Sequence, residues 1–119
     1  MTLRVGISNA SSDLDLIGEA IERKKATEWW VPKDSQPGDT LVIYLEGSGF
    51  LAVGFIAKHP VPTGKTGVYG ADIADLRWID PPITKAKLTQ VCPEWDWLRY
   101  SRSYVTPPDW VQSAISSLL

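Results

Sequence analysis

The sequence predicts a single α+β domain spanning residues 1–119, and three observations carry that reading. Residues 40–58 hold two apolar runs separated by Gly47-Ser48-Gly49, the pattern of an antiparallel hairpin whose glycines accept positive φ. Residues 12–25 and 109–118 carry apolar side chains at helical spacing. A length of 119 residues suffices for one hydrophobic core and is too short for two.

Taken in order, Leu3 to Ile7 alternates as a short strand ending at Ser8 and Asn9. Ser11 or Ser12 is placed to cap a helix, with Asp13 and Asp15 in its positive first turn. Leu14, Ile17 and Ile21, joined by Leu16 and Ala20, give that helix an apolar face to about Lys25, where Arg23, Lys24 and Lys25 suit the negative end. Trp29 and Trp30 follow. Pro37-Gly38-Asp39 fits a type II turn, since Pro presets φ and Gly takes the positive φ after it. The run Leu41 to Leu45, inside a strand from Thr40 to Glu46, is apolar without alternation and therefore expected to be covered on both faces. A second strand runs from Phe50 to Lys58. His59 to Gly67, with two prolines and two glycines, reads as loop.

Val68 to Ile79 reads as a further strand that Asp80-Pro81-Pro82 terminates, because proline cannot donate to a ladder. Thr84 is the expected cap of a short helix to Val91, with Ala86, Leu88 and Val91 inward. Pro93 to Tyr104 is aromatic and irregular. Thr106-Pro107-Pro108-Asp109 reads as the start of the last helix, capped by Thr106 and carrying Trp110, Val111, Ala114, Ile115 and Leu118 on its apolar face.

Composition narrows the function classes. The chain is 44% hydrophobic and 22% charged, an ordinary globular balance, with no low-complexity tract and no internal repeat. Neither a signal peptide nor a membrane-length apolar run is present, so a cytoplasmic protein without membrane contact is expected. The single cysteine, Cys92, and single histidine, His59, exclude an internal disulfide and a multi-cysteine metal cluster, and no cofactor is expected. Cys92 reads as a small buried hydrophobe and His59 as a loop residue. A formal net charge of -2 argues against nonspecific attraction to nucleic acid, but leaves room for a reader that combines a few local cations with a base pocket.

No nucleophile elbow, phosphate loop or zinc motif occurs, so the chain is not expected to be an enzyme. Six tryptophans are the anomaly. Trp78 and Trp110 sit in regular patterns and read as core. Trp29, Trp30, Trp95, Trp97 and Tyr100 sit where loops are expected, beside polar residues including Asp96, Arg99, Ser101, Arg102 and Ser103. Aromatic faces so placed can sandwich an unstacked base, although they can equally cap the ends of a core.

The order of strand, Ser8-Asn9, helix, Trp29-Trp30, Gly38-Asp39, a strand ending at Tyr44, Gly47-Ser48-Gly49 and a strand with Gly54 resembles the PUA-like superfamily, in particular its EVE and YTH-like branches. The resemblance spans roughly residues 3 to 80. It implies a strongly curved, barrel-like mixed sheet of five to six strands flanked by about three helices. It also implies a pocket for a flipped, modified base, with Ser8, Asn9, Trp29, Trp30, Tyr44, Trp95, Trp97 and Tyr100 as base-binding candidates and Lys33, Arg99 and Arg102 as phosphate contacts. Residues 60–67 contain no tryptophan, unlike the corresponding loop of YTH-type domains, so a second cage wall would come from Trp95, Trp97 or Tyr100. Such domains are often N-terminal specificity modules of modification-dependent restriction systems, joined to a nuclease or motor subunit. The resemblance therefore implies a non-catalytic reader of a methylated or otherwise modified base in DNA. A reader of modified RNA bases and a protein-interaction domain without nucleic-acid binding are the alternatives.

Overall fold

The computed structural model describes residues 2–8, 11–99 and 104–119. Its elements are β1 (Leu3–Ser8), α1 (Ser11–Arg23), β2 (Thr27–Val31), β3 (Thr40–Leu45), β4 (Gly49–Ile56), β5 (Val61–Pro62), β6 (Tyr69–Ile83), α2 (Lys85–Val91), a 3₁₀ turn (Asp96–Arg99) and α3 (Asp109–Leu118). The sheet order is β1-β3-β4-β6-β2, with β5 added on β6. β1 runs parallel to β3 and every other pair is antiparallel. The fold is thus the expected α+β one: a curled half-barrel sheet with three helices.

The central hairpin forms as its sequence dictates. Gly38 takes a φ of 92° in the turn before it, and Gly47 and Gly49 take positive φ at its reversal. Leu41, Val42, Ile43 and Tyr44 are all buried because helices cover both faces of β3. On one face, Leu3, Val5, Ile7, Val42, Tyr44 and Phe50 pack against Leu88 of α2, Trp95, Leu98 and Val111 and Ile115 of α3. On the other, Ile17 and Ala20 of α1 meet Trp29, Val31, Leu41, Ile43, Ala52, Ile56 and Ile73. That second face is the inside of the curl, since Trp29 on one terminal strand reaches across it to Gly6 on the other.

Several expectations are corrected. Trp29 and Trp30 lie within a strand, β2, whose brevity and adjacent charges hid it. The segment 59–67 contains β5, which pairs Val61 with Gly70 and Pro62 with Tyr69. β6 does not stop at the prolines. Its pairing steps from Ala52↔Trp78 to Phe50↔Ile83, so residues 79–82 bulge opposite Leu51 alone and the missing proline N–H groups leave no gap in the ladder. A second irregularity, between Val53↔Arg77 and Phe55↔Ala74, surrounds Asp75 at a φ of 53° and breaks the alternation expected there.

The helices also differ in detail. α1 starts at Ser11, and the position preceding it lies outside the described residues. It ends at Arg23, with Lys24 at a φ of 53°. Leu16 is exposed, as is Ala86 in α2, while Thr84 caps α2 by accepting from Lys87 N. Thr106 does not cap α3. That position is Pro108, and the Thr106 hydroxyl is taken by Arg4 instead. Trp78 and Trp110, expected in the core, are 42% and 49% exposed, because Trp78 stands at the bulged end of β6 and Trp110 on the outer side of the first turn of α3.

Candidate nucleic-acid interface

The terminal strands β1 and β2 meet at a seam. β1 presents its outer edge there, and that edge is covered group by group. Gln112 accepts from Leu3 N at 2.9 Å, Val105 exchanges both backbone bonds with Val5, and Trp29 Nε1 donates to Ile7 O at 3.3 Å. The approach is close at Gly6: a Cβ there would stand 3.1 Å from Trp29 Cδ1, so the indole would have to give by a few tenths of an ångström. Ser8, at the end of β1, is buried and donates to Asp13 Oδ2 in the first turn of α1 at 3.2 Å.

Strand alternation separates the two adjacent tryptophans. Trp29 turns into the curl and is 3% exposed; Trp30 turns outward and is 44% exposed. Their rings meet edge to face, 5.8 Å apart at 67°. Together with Glu28, Thr63 and Lys65 they line a cleft of about 270 Å³. Gly70, next to these residues, pairs with Trp30 on one side and Val61 on the other. Thr63 leans over it, and a Cβ on Gly70 would be 3.3 Å from Thr63 Cγ2.

The second aromatic group is elsewhere. Tyr44 and Trp97 meet edge to face at 5.1 Å, and Trp97 stacks on Trp95 at 5.1 Å and 20°. Tyr44 and Trp95 are buried in the core on the outer face of β1 and β3, with the sheet between them and Trp29. Tyr44, Trp95 and Trp97 are therefore brought together, but on the opposite face from Trp29, and Ser8, bonded to Asp13, is not among the residues lining the Trp29–Trp30 cleft, so the expected residues do not form one cage. Asn9, Tyr100 and Arg102 lie outside the described residues. Arg99 is exposed at the end of the 3₁₀ turn. Lys33, also exposed, places Nζ 5.6 Å from the Tyr69 ring centroid, a cation–π distance.

Sequence alone does not single out Glu28, Thr63 and Lys65 for the site. The local signal is Gly64-Lys65-Thr66-Gly67, a glycine-bounded tip carrying a cation, but only the pairing of β5 with β6 brings it beside Trp30. A larger hollow of about 420 Å³, between Lys24, Lys25 and Asp75, presents no aromatic ring. Among the described residues no group of three or more His, Cys, Asp and Glu side chains is arranged to hold a metal ion, and no helix is long and apolar enough to cross a membrane. Burial pushes the Cys92 thiol pKa up, and His59 is exposed between β4 and β5.

No protein-family model matches the chain, and neither does any curated protein. Solved structures do. The crystal structure of protein PSPTO5229 from Pseudomonas syringae superposes with a TM-score of 0.74 at 17% identity, covering 98% of each chain. The NMR structure of Rpa0253 from Rhodopseudomonas palustris gives 0.71 at 14% identity, covering 99% of this chain and 92% of that one. At such identities the likeness establishes a shared fold over essentially the whole length.

Proposed function

We propose that this chain is a non-catalytic reader of a modified, in the first instance methylated, nucleobase in DNA, related to the EVE and YTH-like branches of the PUA-like superfamily. The observation that carries the reading is the cleft at Trp29 and Trp30. An outward indole supplies a stacking face, braced edge-on by a buried one. Glu28 and Thr63 supply an acceptor and a hydroxyl for a base edge, and Lys65 a cation for phosphate. A base in duplex DNA reaches such a cleft only when flipped, at a cost of a few kcal/mol that stacking and edge contacts offset. Joined to a nuclease or motor subunit in the cytoplasm, the domain would direct a restriction system to modified DNA.

The test is binding to matched duplexes, unmodified or carrying N6-methyladenine, 5-methylcytosine or 5-hydroxymethylcytosine, at one fixed salt concentration. Wild-type protein is expected to prefer one modified duplex. Base stacking on an aromatic side chain contributes about 1–3 kcal/mol, so Trp30→Ala is expected to reduce binding to the preferred duplex roughly tenfold or more. Equal binding of all duplexes by the wild type would sink the proposal, and a preference for matched modified RNA would transfer it to RNA.

A further inference from the structure

The ladder between β2 and β6 ends at the pair Thr27↔Ile73. The residues next to that pair, Ala26 and Ala74, both line the hollow of about 420 Å³, so it opens where the two chain segments part. Its apolar wall continues through Ala20 and Ile21 of α1 and Leu76 of β6, at the border of the inner core. Small-molecule sites commonly have volumes of about 300–1,000 Å³, and the hollow falls within that range.

Two charged residues on its rim hold a sparsely populated backbone state. Lys24 and Asp75 each have a φ of 53°, and among the described residues they are the only positive-φ positions that are not glycine. Lys24 follows the end of α1, where Lys24 N donates to Ile21 O and Lys25 N to Ala20 O, the pair of bonds that closes a helix on a left-handed residue. Asp75 stands in the irregularity of β6. Glycine would be the relaxed choice at both positions. The chain instead carries a cation at one and a carboxylate at the other.

Neither charge is paired among the described residues, and the two do not pair with each other. Lys25, the second lysine of the rim, is engaged by Glu19, which also takes Arg23. The hollow therefore offers an apolar wall, one open cation and one open anion. A simple organic anion would bring a like charge to Asp75, and a simple amine would bring one to Lys24. A molecule that bears both signs beside an apolar group matches the whole rim.

We propose that this hollow binds a free α-amino acid with an apolar side chain, its carboxylate on Lys24, its ammonium on Asp75 and its side chain against Ile21 and Leu76. The site shares no lining residue with the Trp29–Trp30 cleft and does not rest on the reader function.

The full chain is titrated calorimetrically with L-leucine, with N-acetyl-L-leucine, which lacks the ammonium, and with L-leucinamide, which lacks the carboxylate. Wild-type protein is expected to bind L-leucine roughly tenfold or more tightly than either derivative, the loss of one charge-assisted hydrogen bond. Lys24→Gly and Asp75→Asn each remove one rim charge with a residue that accepts positive φ. Both are expected to weaken L-leucine binding about tenfold, and Lys24→Gly to raise the urea midpoint as it does so. That combination separates lost binding from lost folding. L-leucine binding that neither substitution weakens would overturn the proposal by placing the ligand elsewhere. Either derivative binding as tightly as L-leucine would overturn the pairing of both charges, and absence of L-leucine binding by the wild type would overturn the site, leaving the reader function untouched.

Discussion

Arg4 shows how much one side chain can organise without advertising itself in sequence. It lies on the inner face of β1 and is buried. Its Nε donates to Asp39 Oδ2 at 3.0 Å, and Nη1 donates to Asp34 Oδ1 and Thr106 Oγ1. It thereby joins β1, the loop before β3 and the segment before α3. Burial alone would raise the Asp39 pKa, but the backbone N–H groups of Gln36 and Thr2 and the Arg4 guanidinium outweigh it, and the net shift is downward from 3.8. A depressed carboxylate pKa contributes stability that is present above the unfolded value and is lost as pH falls through the folded one. The urea midpoint should therefore fall below pH about 4 in the wild type and fall less steeply in Asp39→Asn. Parallel curves for the two proteins would remove Asp39 as the cause. Arg4→Met leaves Asp39 buried without its cation and is expected to cost about 3 kcal/mol in the same measurement. An isolated arginine at the second position of a strand pattern resembles surface charge; its partners lie 30 to 102 residues away, which no local pattern reveals.

At the scale of elements, legibility followed the length and purity of the apolar pattern. β3 and β4 were readable because a covered strand and a glycine reversal leave a strong local signal. β2 and β5, at five and two residues, leave almost none. The prolines near the end of β6 obeyed their chemistry, yet a bulge satisfied it without ending the strand. β6 also presses closely on β4. A Cβ on Gly54 would stand 2.7 Å from Ile73 Cγ2 and 2.9 Å from Ala74 O, and the backbone oxygen cannot swing away. Gly54→Ala is expected to destabilise the domain by about 3 kcal/mol, read as a lower urea midpoint. A change below about 0.5 kcal/mol would mean that β6 yields at this point, consistent with the irregularity beside it.

For the molecule as a whole, the curl of the sheet matters more than any strand in it. The curl brings β2, from one end of the strand order, against β1 at the other, and Trp29 bridges them through Gly6 and Ile7. Trp29→Phe keeps a ring but removes the indole N–H. It is expected to cost about 1–2 kcal/mol and to speed hydrogen exchange at the β1 amides more than at those of β4. Uniform acceleration across the sheet would argue that Trp29 is only packing volume. This curvature was expected from the resemblance and not from periodicity, because alternation specifies which face is buried but not how far a sheet bends. The same limit applies to the candidate site. Trp30 was visible as an aromatic outside an obvious core, but Thr63 and Lys65 become its neighbours only when β5 adds to β6.

The cover over the outer edge of β1 has a consequence for biosynthesis. That strand is made well before Val105 and Gln112, which close its edge at Val5 and Leu3, Gln112 following Leu3 by 109 residues. A nascent chain that has already paired β1 with β3 keeps a row of unsatisfied strand groups open until those late residues leave the ribosome. In that interval it is a template for pairing with neighbouring chains. Translation stalled before residue 105 would therefore produce an aggregation-prone fragment, even though every residue of the hairpin had been synthesised.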